Sequence, residues 1–210
     1  MRSVDVNGST ILLLPVVKGL VSEGDAVEKA INEENPDVIA VSISKEELAA
    51  LVTKEDYDKY EPSDIEEIYA ILLEKFGEVK IPPPGYVKAL DVGTAKNIPL
   101  VPIDMNEELY TDTYCYEVGG VDLIRESMFV KRAHRKRFDF ESAGAFAVDW
   151  DKKINKPGGF RNLNLKREEH MAESLRKLTG KYHRILAVIE YERENGVESL
   201  LNGTRPSPKK

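Results

Sequence analysis

Carboxylates directly follow two of the apolar runs in this sequence, and they are the side chains best placed to carry out chemistry. At the ends of neighbouring strands such groups can bind a metal through their oxygens or act as a general acid and base. Polar side chains also occur there simply because a strand emerges into water, so both interpretations stay open. The carboxylates are Asp104, after the run IPLVPI, and Glu190, Glu192 and Glu194, after the run ILAVI.

Basic residues are the second set of candidates. The segment Lys131–Arg137 has the sequence KRAHRKR, and on a helix Arg132, Arg135 and Lys136 would share one face. Guanidinium groups suit phosphates and carboxylates because their donors form a planar fork. The segment predicts either an anion site or a solvated helix face. Lys18 follows the first apolar run and could pair with the strand-end carboxylates, in a ligand site or in a structural salt bridge.

Common nucleophiles and metal ligands are sparse. His134, His170 and His183 have no Cys and no other His within a few residues, so the spacing of a zinc site is missing. Cys115 is the only cysteine, and we expect a buried structural thiol. A single cysteine cannot form an intramolecular disulfide, which fits a reducing, cytoplasmic setting. No metal and no cofactor are predicted.

Composition restricts the partners. The chain has 210 residues and a formal net charge of −7, which argues against a general nucleic-acid-binding surface. No apolar run approaches the roughly 18 residues that span a bilayer, so no membrane partner is predicted. Residues 1–201 are expected to form a single domain, and the polar segment 202–210 a flexible tail.

Four apolar runs without alternation are typical of strands buried on both faces of a sheet. They are Ile11–Val17, Val38–Ile43, Ile98–Ile103 and Ile185–Ile189. We expect helices at 25–34, 44–52, 63–76, 86–97, 121–140, 165–178 and 197–201, and irregular structure at 141–160. The alternation of strands and helices predicts an α/β fold with a mixed, mainly parallel central sheet flanked by helices.

Caps predict some helix boundaries. Ser44 followed by Glu47 has the capping-box pattern at the start of a helix. Asn35-Pro36 is expected to end the helix that follows the first strand, because proline disfavours a helical residue before it.

Several segments together resemble the TraB/PrgY family, which belongs to a wider group with the Tiki proteases, the erythromycin esterases and the ChaN haem-binding lipoproteins. The stretch LLLPVVKGLVSEGDAVEKAINEENPDVIAVSI is similar to the strand, helix, Pro-Asp turn and strand that open the family. The stretch PPPGYVKALDVGTAKNIPLVPID resembles its helix and strand ending in an aspartate, here Asp104. VKRAHRKR resembles its Arg-Ala-x-Arg segment, with Arg132 and Arg135. KREEHMAESLRKL resembles its Arg-Asp-x-x-Met-Ala helix, with Arg167.

The chain departs from the family at the residues that the family is thought to use for metal binding and hydrolysis. Lys18 stands in place of the first histidine, Ser42 in place of the glutamate after the second strand, and Arg193 in place of the second histidine. The resemblance therefore implies that the chain keeps the fold of the family and a pocket that can bind an anion, but not the residues that form the metal centre.

These observations predict a protein that does not catalyse a reaction and binds a small anionic ligand or a peptide at the carboxyl ends of the strands. One alternative is a metal-dependent hydrolase whose ligands have moved to Asp104, Glu190 and Glu192. Another is a protein–protein interaction module, or a homodimer, that uses the tyrosine-rich segment Tyr110–Tyr116. The predicted ligand-binding residues are Lys18, Asp104, Arg132, Arg135, Arg167, Glu190 and Arg193.

Overall fold

A mixed sheet with helices on both faces organises the chain. The computed structural model describes residues 1–53 and 62–204, and their strands are arranged in the order β1-β2-β5-β3-β4. Only the β1–β2 pair is antiparallel, and the other three pairs are parallel. The predicted fold class is confirmed. The strands are β1 (Arg2–Val6), β2 (Ser9–Val16), β3 (Val38–Val41), β4 (Leu100–Pro102) and β5 (Arg184–Glu190).

The central strand, β5, is buried from Ile185 to Glu190. It pairs in parallel with β2 on one side, where Ile11 lies beside Ile185, and with β3 on the other, where Ala40 lies beside Ala187. The apolar runs do not alternate because helices cover both faces of the sheet.

Two pairs of helices provide that cover. Helices α1 and α4 pack against one face, and α8 and α9 pack against the other. The nine helices of the described residues are α1 (Ser22–Glu34), α2 (Lys45–Thr53), α3 (Asp64–Leu73), α4 (Pro84–Lys96), α5 (Glu107–Glu117), α6 (Gly120–Val130), α7 (Ala143–Ile154), α8 (Gly158–Leu178) and α9 (Glu194–Leu201). None of them is long and apolar enough to cross a membrane.

Both predicted caps are confirmed. The backbone N–H of Ser44 donates to the Glu47 carboxylate at 2.8 Å, and the backbone N–H of Glu47 donates to Ser44 Oγ at 3.0 Å. Asn35 ends α1 in the left-handed region with φ 44°. Pro36 follows it, so the helix cannot continue.

The predicted helix 121–140 is wrong in its second half. Helix α6 ends at Val130, and the basic segment contains only a short 3₁₀ turn, Ala133–Arg135. Ala133 is buried, whereas the charged residues around it are exposed. Burial of this one small residue and repulsion between consecutive cations both favour a turn at this point.

The segment 141–160, predicted to be irregular, instead contains α7 and the start of α8. Ser142 caps α7, since its Oγ accepts a hydrogen bond from the backbone N–H of Ala145 at 3.1 Å. Phe146 and Trp150 lie four residues apart and are both buried in an aromatic cluster. The small residues between these anchors concealed the helical spacing in the sequence.

Strand β1 was not predicted. It joins β2 through Asn7-Gly8, whose φ values of 52° and 83° are both positive. Asn-Gly is favoured at such two-residue hairpin turns, so the signal was present in the sequence.

Helix α9 continues into a closing turn. The backbone N–H groups of Asn202 and Gly203 donate to carbonyls of Glu198 and Leu200 at 3.0 Å. From residue 205 onward the predicted tail lies outside the described residues, and the domain limits of 1–201 stay a prediction.

Substitution of Gly8 by Ala should lower the free energy of unfolding by roughly 0.5–1 kcal/mol, because alanine disfavours a positive φ. A Cβ added at Gly8 meets nothing within 4 Å, so the backbone conformation alone opposes it. The matched control is Gly120→Ala, which also meets nothing within 4 Å and has no positive φ. Urea unfolding that shows equal effects of the two substitutions would contradict the turn geometry.

Candidate functional site

The parallel strands end at one edge of the sheet, and polar residues follow each of them there. Lys18 comes after β2, Ser42 after β3 and Asp104 after β4, while Glu190 is the last residue of β5. In open α/β sheets this edge is the usual ligand-binding side. The architecture therefore brings together residues that are far apart in the sequence.

Arg167 on α8 holds the two strand-end carboxylates. Its Nε donates to Asp104 Oδ2 at 3.1 Å, and its Nη2 lies 2.5 Å from the same oxygen and 3.3 Å from Glu190 Oε2. The side chains of Asp104 and Glu190 are only 6% and 9% exposed. We call these three residues the Arg167 cluster.

The cluster keeps Arg167 positively charged. Burial lowers the pKa of its guanidinium, but the negative charges of Glu190 and Asp104 outweigh that effect and raise the pKa well above its ordinary value. A cation thus already lies between the two carboxylates that were predicted to bind a metal or a ligand. Among the described residues, no group of three or more His, Cys, Asp or Glu is arranged to hold a metal ion.

Ser42 connects β3, β5 and α4 within the protein interior. The backbone N–H of Glu190 donates to Ser42 Oγ at 3.0 Å, and that oxygen lies 2.8 Å from the hydroxyl of Tyr86. Ser42 and Tyr86 are each 1% exposed. The Ser42 hydroxyl is therefore engaged in fixing the end of β5.

Glu192 is half-buried beside Glu190. Burial and the negative charge of Glu190 raise the pKa of Glu192 to about 8, although its own backbone amide, Arg167 and Lys18 act in the opposite direction. Its side chain is therefore largely protonated at neutral pH.

Arg193, another predicted ligand residue, is buried and faces the protein interior. Its Nη1 lies 3.1 Å from Glu168 Oε1, and its Nη2 forms an ion pair with Asp151. Burial lowers its pKa to about 10, against an opposing effect of Asp104, so it stays charged at neutral pH. Arg193 is 4% exposed, so its guanidinium group pairs with two carboxylates inside the protein and does not line the cleft.

The packing of α9 against the ion pair of Arg193 and Glu168 requires glycine at position 196. A Cβ added at Gly196 would lie 2.0 Å from Glu168 Oε2, closer than nonbonded atoms can approach. Helix α9 can therefore pack against the Arg193–Glu168 pair only because residue 196 has no side chain.

Arg132 and Arg135 do not join the cluster. Both are exposed after α6, and Arg135 Nε donates to Nε2 of the adjacent His134 at 3.1 Å. Within residues 1–53 and 62–204 neither arginine forms a hydrogen bond or ion pair with the Arg167 cluster. The expected convergence of Arg132, Arg135 and Lys136 on one helical face is wrong, because α6 ends before them.

A cleft lies at the same edge of the sheet, with a volume of about 330 Å³. It opens between the ends of β2 and β3, helices α2 and α3, the segment 79–83 and the start of α4. Most of its walls are apolar or aromatic. They are formed by Gly19, Ile43, Ala50, Leu51, Tyr69, Ala70, Val79, Ile81, Pro83 and Tyr86, and its charged residues are Lys18, Glu47, Glu66 and Lys80.

The carboxylates in the cleft are already bonded at helix starts. Glu47 accepts from the backbone N–H of Ser44, and Glu66 accepts from that of Ser63 at 2.9 Å. The Lys18 side chain is 44% exposed, and its Nζ lies 3.9 Å from Glu47 Oε1, at the outer limit of an ion pair. Of the predicted ligand residues, Lys18 is the one that lines the cleft, and its charge is available there.

Tyr69 and Tyr86 line the cleft and were not singled out from the sequence. Burial and the negative charges of Glu190 and Glu192 raise the pKa of both phenols. Nothing in the sequence pattern separates these two residues from other tyrosines.

Among residues 1–53 and 62–204, no histidine or cysteine lines the cleft. Cys115 is exposed on α5, contrary to the buried thiol that was expected. His183 precedes β5 at the opposite edge of the sheet.

Comparison of the chain with known protein families and with curated proteins found no match. The resemblance to the TraB/PrgY family stays a prediction.

Ser42→Ala should lower the free energy of unfolding by roughly 1–3 kcal/mol, because it leaves the buried backbone N–H of Glu190 without an acceptor. Chemical denaturation measures this loss. Exposed Ser127 on α6 is the control, and its replacement by Ala should change little. A loss at Ser42 no greater than at Ser127 would show that another acceptor satisfies the amide.

Stability should also depend on pH through Glu192. Its pKa is about 8 in the folded protein, against an ordinary value of 4.5, so between these values the folded state binds more protons than the unfolded state. Its contribution to stability therefore falls as pH rises through this interval. Glu192→Gln should remove this dependence. The free energy of unfolding of the variant should therefore rise relative to that of the wild type by roughly 1–3 kcal/mol between about pH 5 and pH 8.5.

Urea unfolding of both proteins at the two pH values checks this, and Glu74→Gln, at an exposed position, is the control. If the advantage of the Glu192 variant is the same at both pH values, the carboxyl group does not titrate in this range.

Proposed function

We propose that this chain is a non-catalytic, TraB/PrgY-like binding protein, whose cleft takes a small ligand with an apolar body and an anionic group. The observation that carries the proposal is a mainly apolar cleft of about 330 Å³ with the ammonium group of Lys18 at its wall. Small-molecule sites in proteins are typically concave and apolar, with a few polar groups that fix the orientation of the ligand.

The charges of the cleft favour an anion over a cation. The carboxylates of Glu47 and Glu66 are held by backbone N–H groups at the starts of α2 and α3. Among the described residues, Lys18 pairs with Glu47 and Lys80 pairs with Glu78, and all four side chains are exposed. Surface ion pairs of this kind are weak, so a ligand carboxylate, sulfonate or phosphate can compete for the ammonium groups.

Binding is better supported than hydrolysis because the polar groups beside the cleft are engaged. Ser42 Oγ is buried and bonded to Tyr86 and to the backbone of Glu190. The carboxylates of Asp104 and Glu190 are bonded to Arg167. A divalent metal at these oxygens would have to displace a guanidinium group, which weakens the alternative of a hydrolase with relocated ligands.

The size of the cleft favours a compact ligand over an extended peptide. A volume of about 330 Å³ is near the lower end of the roughly 300–1,000 Å³ that is usual for small-molecule pockets. An aromatic or aliphatic carboxylate, sulfonate or phosphate monoester suits both the lysine and these apolar walls.

A pair of fluorescent probes tests the proposal. Anilinonaphthalene sulfonate has an aromatic body and an anionic group, and phenylnaphthylamine is its uncharged counterpart. We expect saturable binding of both with a stoichiometry of one. Lys18→Met should weaken sulfonate binding about five- to tenfold and change binding of the neutral probe by less than about twofold, because only the sulfonate uses the ammonium group.

Two further variants locate the site. Ala50→Trp places a bulky ring in the cleft wall and should abolish binding of both probes, whereas Lys29→Met, at an exposed position on α1, should change neither. Circular dichroism confirms that each variant is folded. Unchanged binding to the Ala50 variant, or equal losses of the two probes with Lys18→Met, would overturn the proposal.

A further inference from the structure

One hydroxyl group at the cleft has no hydrogen-bond partner. It belongs to Tyr69, which lies on α3 and lines the cleft. Within residues 1–53 and 62–204, this hydroxyl group forms no hydrogen bond. Tyr69 is partly buried, but its hydroxyl oxygen is not fully buried. The hydroxyl groups of buried tyrosines usually have a partner, so this one is available to a molecule that enters the cleft.

Aromatic packing holds the ring of Tyr69 in place. It stacks on Phe146 of α7, with ring centroids 5.4 Å apart and planes inclined by 23°, and it meets Trp150 of the same helix at 5.4 Å and 60°. Phe146 and Trp150 are 0% and 7% exposed, so both partners are fixed in the core. A ligand that bonds to Tyr69 therefore does not have to order this side chain, which favours binding.

The other tyrosine of the cleft has its hydroxyl group in use. The hydroxyl oxygen of Tyr86 lies 2.8 Å from Ser42 Oγ, and both residues are buried. Tyr69 and Tyr86 line the same cleft, so they differ in whether the hydroxyl group is already bonded. Among the described residues that line the cleft, Tyr69 is thus the uncharged side chain with a polar group left to bond a ligand.

Local charge decides which ligand group can lie beside Tyr69. Burial and the negative charges of Glu192, Glu190 and Glu23 raise the pKa of its phenol, so the hydroxyl group keeps its proton and can donate it in a hydrogen bond. The negative charge of Glu190 also opposes an anionic group at this place. An uncharged oxygen of the ligand can accept the bond without that repulsion, whereas an anionic group is attracted to Lys18.

We propose that Tyr69 is a specificity-determining residue of the cleft, and that the ligand is an acid whose apolar body also carries an uncharged oxygen that bonds to the Tyr69 hydroxyl group. The anionic group lies at Lys18, which follows β2, and the uncharged oxygen lies at the wall formed by α3. Hydroxy, alkoxy and oxo acids have this combination of groups. The inference rests on the proposed function, because it assigns a second contact to a ligand bound in the same cleft.

The exposure of the hydroxyl group sets the expected selectivity. A site that bonds an oxygen of its ligand selects against the analogue that lacks it, because the polar group of the site is then left unpaired. The Tyr69 oxygen is not fully buried, so water can bond to it when such an analogue is bound. We therefore expect a preference of about five- to tenfold, as for one hydrogen bond that competes with water.

Calorimetric titration of the full chain tests this with naphthoate and a set of hydroxynaphthoates that differ in the ring position of the hydroxyl group. The wild type should bind naphthoate, and it should bind at least one hydroxynaphthoate about five- to tenfold more tightly. Tyr69→Phe keeps the ring and removes the hydroxyl group. It should abolish this preference and change the affinity for naphthoate by less than about twofold, because naphthoate has no oxygen for this contact.

Tyr182→Phe is the matched control, since Tyr182 is also partly buried and does not line the cleft, and it should keep the full preference. Circular dichroism confirms that each variant is folded, and the comparison of ligands on the wild type depends on no variant. A wild type that binds naphthoate and every hydroxynaphthoate equally, or a preference that survives in Tyr69→Phe, overturns this inference alone. A wild type that binds none of these acids overturns the proposed function as well.

Discussion

Two ion pairs anchor helix α8 to the end of the central strand. Helix α8 supplies the cation of one pair and the anion of the other. Arg167 of α8 reaches Glu190, the last residue of β5, while the next residue of α8, Glu168, accepts from Arg193 just beyond that strand. Buried charges are costly unless they are paired, so these contacts fix α8 and the end of β5 together. The arrangement of every other group at this edge of the sheet depends on that anchoring.

The anchoring also restricts the chemistry of the edge. Arg167 offsets one of the two negative charges of Asp104 and Glu190, and the neighbouring acid, Glu192, has a pKa of about 8. The four side chains together therefore carry less negative charge at neutral pH than three ionised carboxylates would. A cleft with apolar walls and an available lysine can then accept an anion, which would be repelled by three ionised carboxylates.

The sequence by itself determined the scaffold. Unbroken apolar runs predicted the four parallel strands, although the edge strand β4 is only partly buried. Caps such as Ser44 and Asn35 predicted helix ends, because both signals are local. Only the tertiary structure decided what the charged residues do, since a charge is used according to its neighbours in space. Arg167, Arg193 and Lys18 are all cations at or near the same edge of the sheet. In the folded protein, the first two form ion pairs with carboxylates from distant segments. Lys18 instead lies at an apolar cleft whose walls come from elements far apart in the chain.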